Sequence, residues 1–335
     1  MLFRSVCGIQ RQGVRRTRRR LRQPRADNNG QLLPRRRTVG PLTSGGTESI
    51  AYAHHWLRGH VVTTTVEHAA VRETLTATGA DVTFIGVDPT GRIDPREVHD
   101  AIRADTQMVS IQLANHEVGS LQPLTFTRPA GVLLHVDACA AIGHVPFAFA
   151  TLGADLVSVT AHKLGGPKGI GALLVRRGIR IPSLLLGGAQ ERARRAGVEN
   201  VPAIVGFGAA LEHLDIQSEA SHQRALIDRA ARAATAVEGV TRFGSGELPN
   251  VLCLGIDGVE AEPVLLALDQ AGVAVHSGSA CSSETLEPSP VLAAMGFDAQ
   301  HSLRVSVGWS STDADIVRFI GAFADVVTRL RQLRH

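Results

Sequence analysis

Chemistry in this chain starts with Thr160, His162 and Lys163, which stand at the end of the apolar, β-branched run Ala154–Val159 and are stopped by Gly165, Gly166 and Pro167. A lysine presented at a strand end, where an amine is readily desolvated, suits Schiff-base formation. A hydroxyl and an imidazole beside it are donors for a phosphate. A second cradle of that kind is Thr43-Ser44-Gly45-Gly46-Thr47-Glu48-Ser49, a Gly-rich turn that opens a helix. There, backbone N–H groups and the Thr47 hydroxyl converge on an anion. It is neither a Walker loop, since no Gly-Lys-Ser/Thr follows, nor a GxGxxG turn.

The elements that must position these groups alternate. Strands are expected at 61–66, 81–85, 108–113, 132–137, 155–159 and 171–175, with helices at 68–78 and 95–103 between them. Near-continuous apolar strands in a βαβ rhythm imply a mainly parallel sheet covered on both faces. Ligands in such sheets lie at the carboxyl ends of the strands. His68, Asp137 and Lys163 each follow a strand, so one crevice can hold all three. Helices are expected at 201–215 and 218–237. From about residue 220 the strands shorten, to 252–256 and 303–307, with helices at 262–270 and 313–333. The expected division is an Arg-rich, disordered or atypical segment over 1–40, a large domain over 41–219 and a smaller α+β domain over 220–335.

Charge separates the first segment from the rest. Residues 1–40 hold twelve Arg against one acid, Asp27, a balance of +11 in a chain of net charge +4, so the remainder balances to −7. The basic bias therefore belongs to one segment, and nucleic-acid binding is not expected of the whole. Apolar residues are 44% of the 335 and aromatics 4%, which calls for an aliphatic core. No apolar run reaches membrane-spanning length. Cys7, Cys139, Cys253 and Cys281 form no CxxC pair, which argues against a structural zinc site and for a reducing compartment. The start lacks the apolar centre of a signal peptide, and a cytoplasmic location is expected.

Several stretches together resemble the cysteine desulfurases, fold-type-I pyridoxal-phosphate enzymes of the class V aminotransferase group. They are Ser44–Ser49, Val66-Glu67-His68-Ala69-Ala70-Val71, Asn115-His116-Glu117-Val118-Gly119, His135-Val136-Asp137-Ala138, Thr160-Ala161-His162-Lys163, Gly278-Ser279-Ala280-Cys281 and Ser302–Gly308. The resemblance implies an α/β fold, with a mainly parallel seven-stranded sheet in a large domain and a smaller α+β domain. It implies pyridoxal 5'-phosphate as cofactor, L-cysteine as substrate, a homodimer, and a sulfur-acceptor protein serving iron–sulfur cluster assembly or tRNA thiolation.

On that resemblance Lys163 carries the cofactor as a Schiff base and moves the α-proton. Asp137 pairs with the pyridinium nitrogen, and His68 stacks on the ring and serves acid–base steps. Gly46, Thr47, Thr160 and His162 hold the phosphate, His116 bonds the ring, and Arg304 clamps the substrate carboxylate. Cys281, among small polar residues, takes the sulfur as a persulfide. Cys253, between two leucines, reads as an inert buried thiol. Gln190–Arg195 resembles a family loop near the dimer interface. No role is expected for His54, His55, His99 or His135 beyond packing or solvation, and Glu67 and Glu117 read as structural.

Three positions depart from the family pattern. His116 stands for an Asn, Ala140 for a Gln, and Val198 for a Thr that reaches a phosphate across the dimer. Ala140 donates nothing, and each lost bond costs on the order of 1 kcal/mol. Other readings stay open: a selenocysteine lyase or aminotransferase of the same group, a catalytically impaired binding protein on the same fold, or a nucleic-acid binder using the Arg segment.

Overall fold

The computed structural model describes residues 38–277 and 288–333. Cys281 and the segment around it lie outside the described residues, as does nearly all of the Arg-rich start.

The large sheet follows the expected rhythm. Its strands are β1 (Thr38–Val39), β2 (Leu42–Thr43), β3 (His60–Thr64), β4 (Asp81–Ile85), β5 (Thr106–Gln112), β6 (Leu133–Asp137), β7 (Leu156–Thr160) and β8 (Gly171–Arg176). The order is β1-β8-β7-β6-β5-β3-β4, a path of seven, with β2 also paired to β8. β4, β3, β5, β6 and β7 run parallel, whereas β8 pairs antiparallel with β7 and with β1 and β2. The reversal at β8 has a local cause. Only residues 161–170 join it to β7, too few for a right-handed crossover helix, so the chain turns back. Among the described residues pairing is already present at Thr38, three residues ahead of the expected Pro41.

Both faces of the sheet are covered. Helices α1 (Gly46–His54) and α2 (Ala69–Thr78) bury Ile50, Tyr52, Val71 and Leu75 against Val61, Met108, Leu156 and Leu173. On the other face, Ile204 and Phe207 of α4 (Val201–His213) join Val109, Ile111, Val136 and Val157. The short α3 (Pro95–Asp100) precedes β5 and contributes Val98.

A second, antiparallel sheet has the order β11-β12-β10-β9, from β9 (Val240–Phe243), β10 (Val251–Ile256), β11 (His276–Ser277) and β12 (Ser302–Ser306). Helices α5 (Ile216–Ala234), α6 (Ala261–Gln270) and α8 (Asp313–Gln332) enclose Leu226, Ile227, Leu254, Val264, Leu268, Phe319 and Phe323 with it. The expected division between residues 219 and 220 falls inside α5. A smaller apolar cluster ties the two sheets: Val66 and Val118 from the first meet Cys253, Met295 and α7 residues Val291 and Leu292 (α7, Pro290–Ala294) from the second.

Candidate active site

At the carboxyl ends of β5, β6 and β7 a cavity of about 530 Å³ opens between the two sheets. Gly46, Thr47, His68, His116, Asp137, Thr160, His162, Lys163 and Arg304 all line it. Every described residue singled out from the sequence as a site residue thus meets the others at one place.

The first wall is the start of α1. Its cap, Gly45, has φ 156° and ψ −169°, a conformation open essentially to glycine alone. A Cβ on neighbouring Gly171 would sit 2.8 Å from the Gly45 carbonyl carbon, so strand β8 and this turn approach backbone to backbone. Glu48 braces the turn: it accepts from Ser44 N at 2.7 Å and from Arg195 at 2.7 and 3.2 Å. Against the cost of burial, these bonds hold its carboxyl below the usual carboxylate range. Arg195 is therefore engaged in holding the α1 turn. It comes from a strained loop in which Glu191, Arg192 and Ala193 all have positive φ, and whose Arg194 carbonyl accepts from the Tyr52 and Ser183 hydroxyls.

Across from α1, Thr160 ends β7 and Lys163 lies in the single 3₁₀ turn Ala161–Leu164. The Thr160 hydroxyl and His162 Nδ1 are 3.0 Å apart. Desolvation and the neighbouring Lys163 lower the His162 pKa, favouring a neutral ring at physiological pH. Asp137, 7% exposed at the end of β6, accepts from Cys139 N at 2.9 Å. His68 caps α2, its Nδ1 accepting from Ala70 N at 3.0 Å, so Nε2 carries the proton of the neutral ring. Burial lowers its pKa, with Asp137 opposing. His116 stands 5.3 Å from it, ring centre to ring centre, and burial drives its pKa well down. Both imidazoles are neutral at physiological pH.

Arg304 enters from the second sheet, midway along β12 and opposite Cys253 and His276. The cavity wall is thus built by both sheets, and Ser277, where the described chain breaks before Cys281, pairs with Leu303 next to Arg304. Cys253, 1% exposed, is inert: burial pushes its thiol up to about 12. Cys139 also lines the cavity, but desolvation and Asp137 raise its pKa well above the ordinary value, keeping it a thiol.

The residues present fit pyridoxal phosphate. A Cβ on Gly46 would reach within 2.8 Å of Cys139 Sγ and 3.7 Å of Thr160 Cβ, so with glycine at 46 the cradle at the start of α1 packs closely on the loop after β6 and the end of β7. That cradle faces the Thr160–His162 donors, with an amine and a carboxylate in the same cavity. Ala140 lines it too, without a donor, whereas Val198 stands 87% exposed. Sequence reasoning missed Gln112, His144, Gln223, Asn250 and Trp309, which also border the cavity. For Gln112 a signal was available, because it ends β5 and strand ends face the ligand side.

Known proteins resemble this chain in sequence and in fold. Residues 42–319 match the family model Aminotransferase class-V. Cysteine desulfurase IscS of Methanosarcina thermophila is 39% identical over 317 residues, which cover 87% of this chain and 78% of the relative. A solved NifS-like protein superposes with a TM-score of 0.79 at 31% identity, over 87% of this chain and 83% of that one. A structure described as SspA in complex with cysteine gives 0.69 at 29%, over 81% of each chain. The chain belongs to the class-V aminotransferase family and, within it, to the cysteine desulfurases.

Proposed function

We propose that this chain binds pyridoxal 5'-phosphate and converts L-cysteine to L-alanine, leaving the sulfur as a persulfide on Cys281. The observation that carries the reading is the convergence of Lys163, Asp137, His68, the α1 turn and Arg304 on one cavity. The name cysteine desulfurase carried by the relatives, and the structural neighbour described as SspA in complex with cysteine, support the substrate.

In this reading the N–H groups of Gly46 and Thr47, the Thr160 hydroxyl and His162 hold the phosphate. Asp137 would pair with the ring nitrogen, His68 would stack on the ring, and His116 would supply a hydrogen bond in place of an amide. Bound pyridoxal phosphate supplies the electron sink that makes the substrate α-carbon acidic. Lys163 then moves the α-proton, and Arg304 fixes the substrate carboxylate through its planar fork. The Cys281 thiolate attacks the substrate sulfur; the C–S bond breaks, its electron pair returns to the β-carbon, and a proton completes alanine. In this division residues 41–219 hold the cofactor and 220–335 bring Arg304 and Cys281 to it.

A second copy of the chain is proposed as partner. Val198, Val201 and Val205 stand exposed together at the start of α4, with Leu185 and Leu186 nearby in sequence. A sulfur-acceptor protein is the other proposed partner, and the cytoplasm the proposed location; no helix among the described residues is long and apolar enough to cross a membrane. The test is spectroscopic. Purified protein with pyridoxal phosphate shows a visible band that Lys163→Ala abolishes. With cysteine and reductant it releases sulfide, and Cys281→Ser stops release while keeping the band. A parent protein with no such band would refute the reading.

A further inference from the structure

The carbonyl of Lys163 closes a one-turn helix, where no later turn donates to it. His144, on the loop after β6, supplies the donor, with Nε2 2.8 Å from that oxygen. The loop is pressed against the lysine turn at Gly143, where φ is +85° and a Cβ would lie 2.7 Å from Leu164 Cβ. The other ring nitrogen, Nδ1, is 2.9 Å from Oε1 of Gln223 on α5, and Asn250 Nδ2 lies 3.3 Å from Nε2. His144 is 6% exposed and Gln223 1%.

Hydrogen-bond chemistry fixes the tautomer. A carbonyl oxygen only accepts, so Nε2 carries the hydrogen. In the neutral ring Nδ1 then only accepts, and Gln223 must turn its amide nitrogen toward it. As placed, with Oε1 toward the ring, that buried nitrogen has no partner among the described residues, and turning the amide gives it one. By the same logic Asn250 presents Oδ1, also otherwise unpartnered, to the Nε2–H. Glu219, one turn ahead of Gln223 on α5, borders the same cavity, where burial raises its pKa.

We propose that His144 is a positioning residue for Lys163, a joint through which α5 and the second sheet hold the lysine's backbone. The inference rests on Lys163 being the cofactor-bearing lysine. Loss of the joint lets the 161–164 turn slide and misplaces Nζ while leaving the Arg304 clamp untouched. Turnover therefore suffers more than substrate binding.

The experiment compares His144→Leu, His144→Gln and Gln223→Leu, each loaded with pyridoxal phosphate, by pH titration of the visible band and by steady-state kinetics. His144→Leu moves the titration midpoint and lowers kcat about tenfold with KM within about twofold, as misplacement of a reacting group does. His144→Gln, which returns an N–H near the Nε2 position, restores both. Gln223→Leu moves the midpoint in the same direction by less, and it carries the test if His144→Leu does not fold. A His144→Leu midpoint and kcat equal to the parent's would overturn the proposal. So would a His144→Gln variant as impaired as the leucine. A parent lacking any visible band would instead refute the lysine assignment itself.

Discussion

Glu67 is buried beside His68, its Oε1 accepting from the Thr64 hydroxyl at 2.8 Å and from Gln112 N at 2.9 Å, while Oε2 has no partner among the described residues. Desolvation pushes its pKa up to about 8, so the folded protein carries it as a neutral acid at physiological pH. The sign of the consequence follows from linkage. An acid whose folded pKa lies above its unfolded value binds the proton more tightly when folded, so stability falls as pH rises from about 4.5 to about 8, by roughly 1.4 kcal/mol per unit. Glu67→Gln keeps an acceptor for Thr64 and Gln112 and cannot ionise. In urea unfolding it is expected to be more stable than the parent at pH 8 by over ~1 kcal/mol, and no more stable at pH 5. Parallel pH profiles for the two proteins would contradict this. The sequence reads Glu67 as structural; its protonation was not legible there, because burial and the orphaned oxygen are tertiary facts.

At the scale of elements, α1 is held to the sheet by one continuous hydrogen-bonded chain. Ser158 Oγ meets His135 Nε2 at 2.9 Å, His135 Nδ1 meets Ser110 Oγ at 2.9 Å, Ser110 Oγ meets His54 Nε2 at 2.8 Å, and His54 Nδ1 meets the Ile50 carbonyl at 2.7 Å. Since that last oxygen only accepts, each donor in the row points toward α1 and both rings are neutral. Burial lowers His54 to about 4 and drives His135 well down. These residues lie two positions before Gln112, Asp137 and Thr160 on β5, β6 and β7, so the chain underlies the cavity floor. Ser110→Ala leaves two buried ring nitrogens unsatisfied, at a cost of about 2–4 kcal/mol, and loosens the phosphate cradle at the start of α1. Urea unfolding and pyridoxal-phosphate titration check both effects; a variant as stable as the parent would contradict the assignment. Strand positions were legible because β-branched runs stand out, and ends moved by only one or two residues at most strands. The histidines were not, since their pairing depends on strand register, which a single sequence leaves open. The antiparallel β8 was missed for a related reason: the short 161–170 link was read as a turn, without drawing out the reversal it imposes.

For the whole molecule, the cavity depends on two sheets staying joined and on the proposed second copy. The exposed row Val198, Val201 and Val205 is the face expected to meet it. Val205→Asp, a charge on an exposed helical position, is expected to leave the monomer fold intact and shift sedimentation from dimer to monomer. An unchanged dimer would place the interface elsewhere. The two-part architecture was legible in the change of strand length near residue 220, though the boundary cuts α5, because helical periodicity there begins before the composition changes. Cys281 lies outside the described residues, and its role rests on sequence resemblance. The most direct measurement is therefore mass spectrometry after a single incubation with L-cysteine and no reductant. One sulfur atom added to the Cys281 peptide, with one alanine formed per persulfide and none in Cys281→Ser, is the predicted result. Alanine formed by Cys281→Ser at the parent's rate, or sulfur found on Cys139 or Cys253 instead, would contradict it.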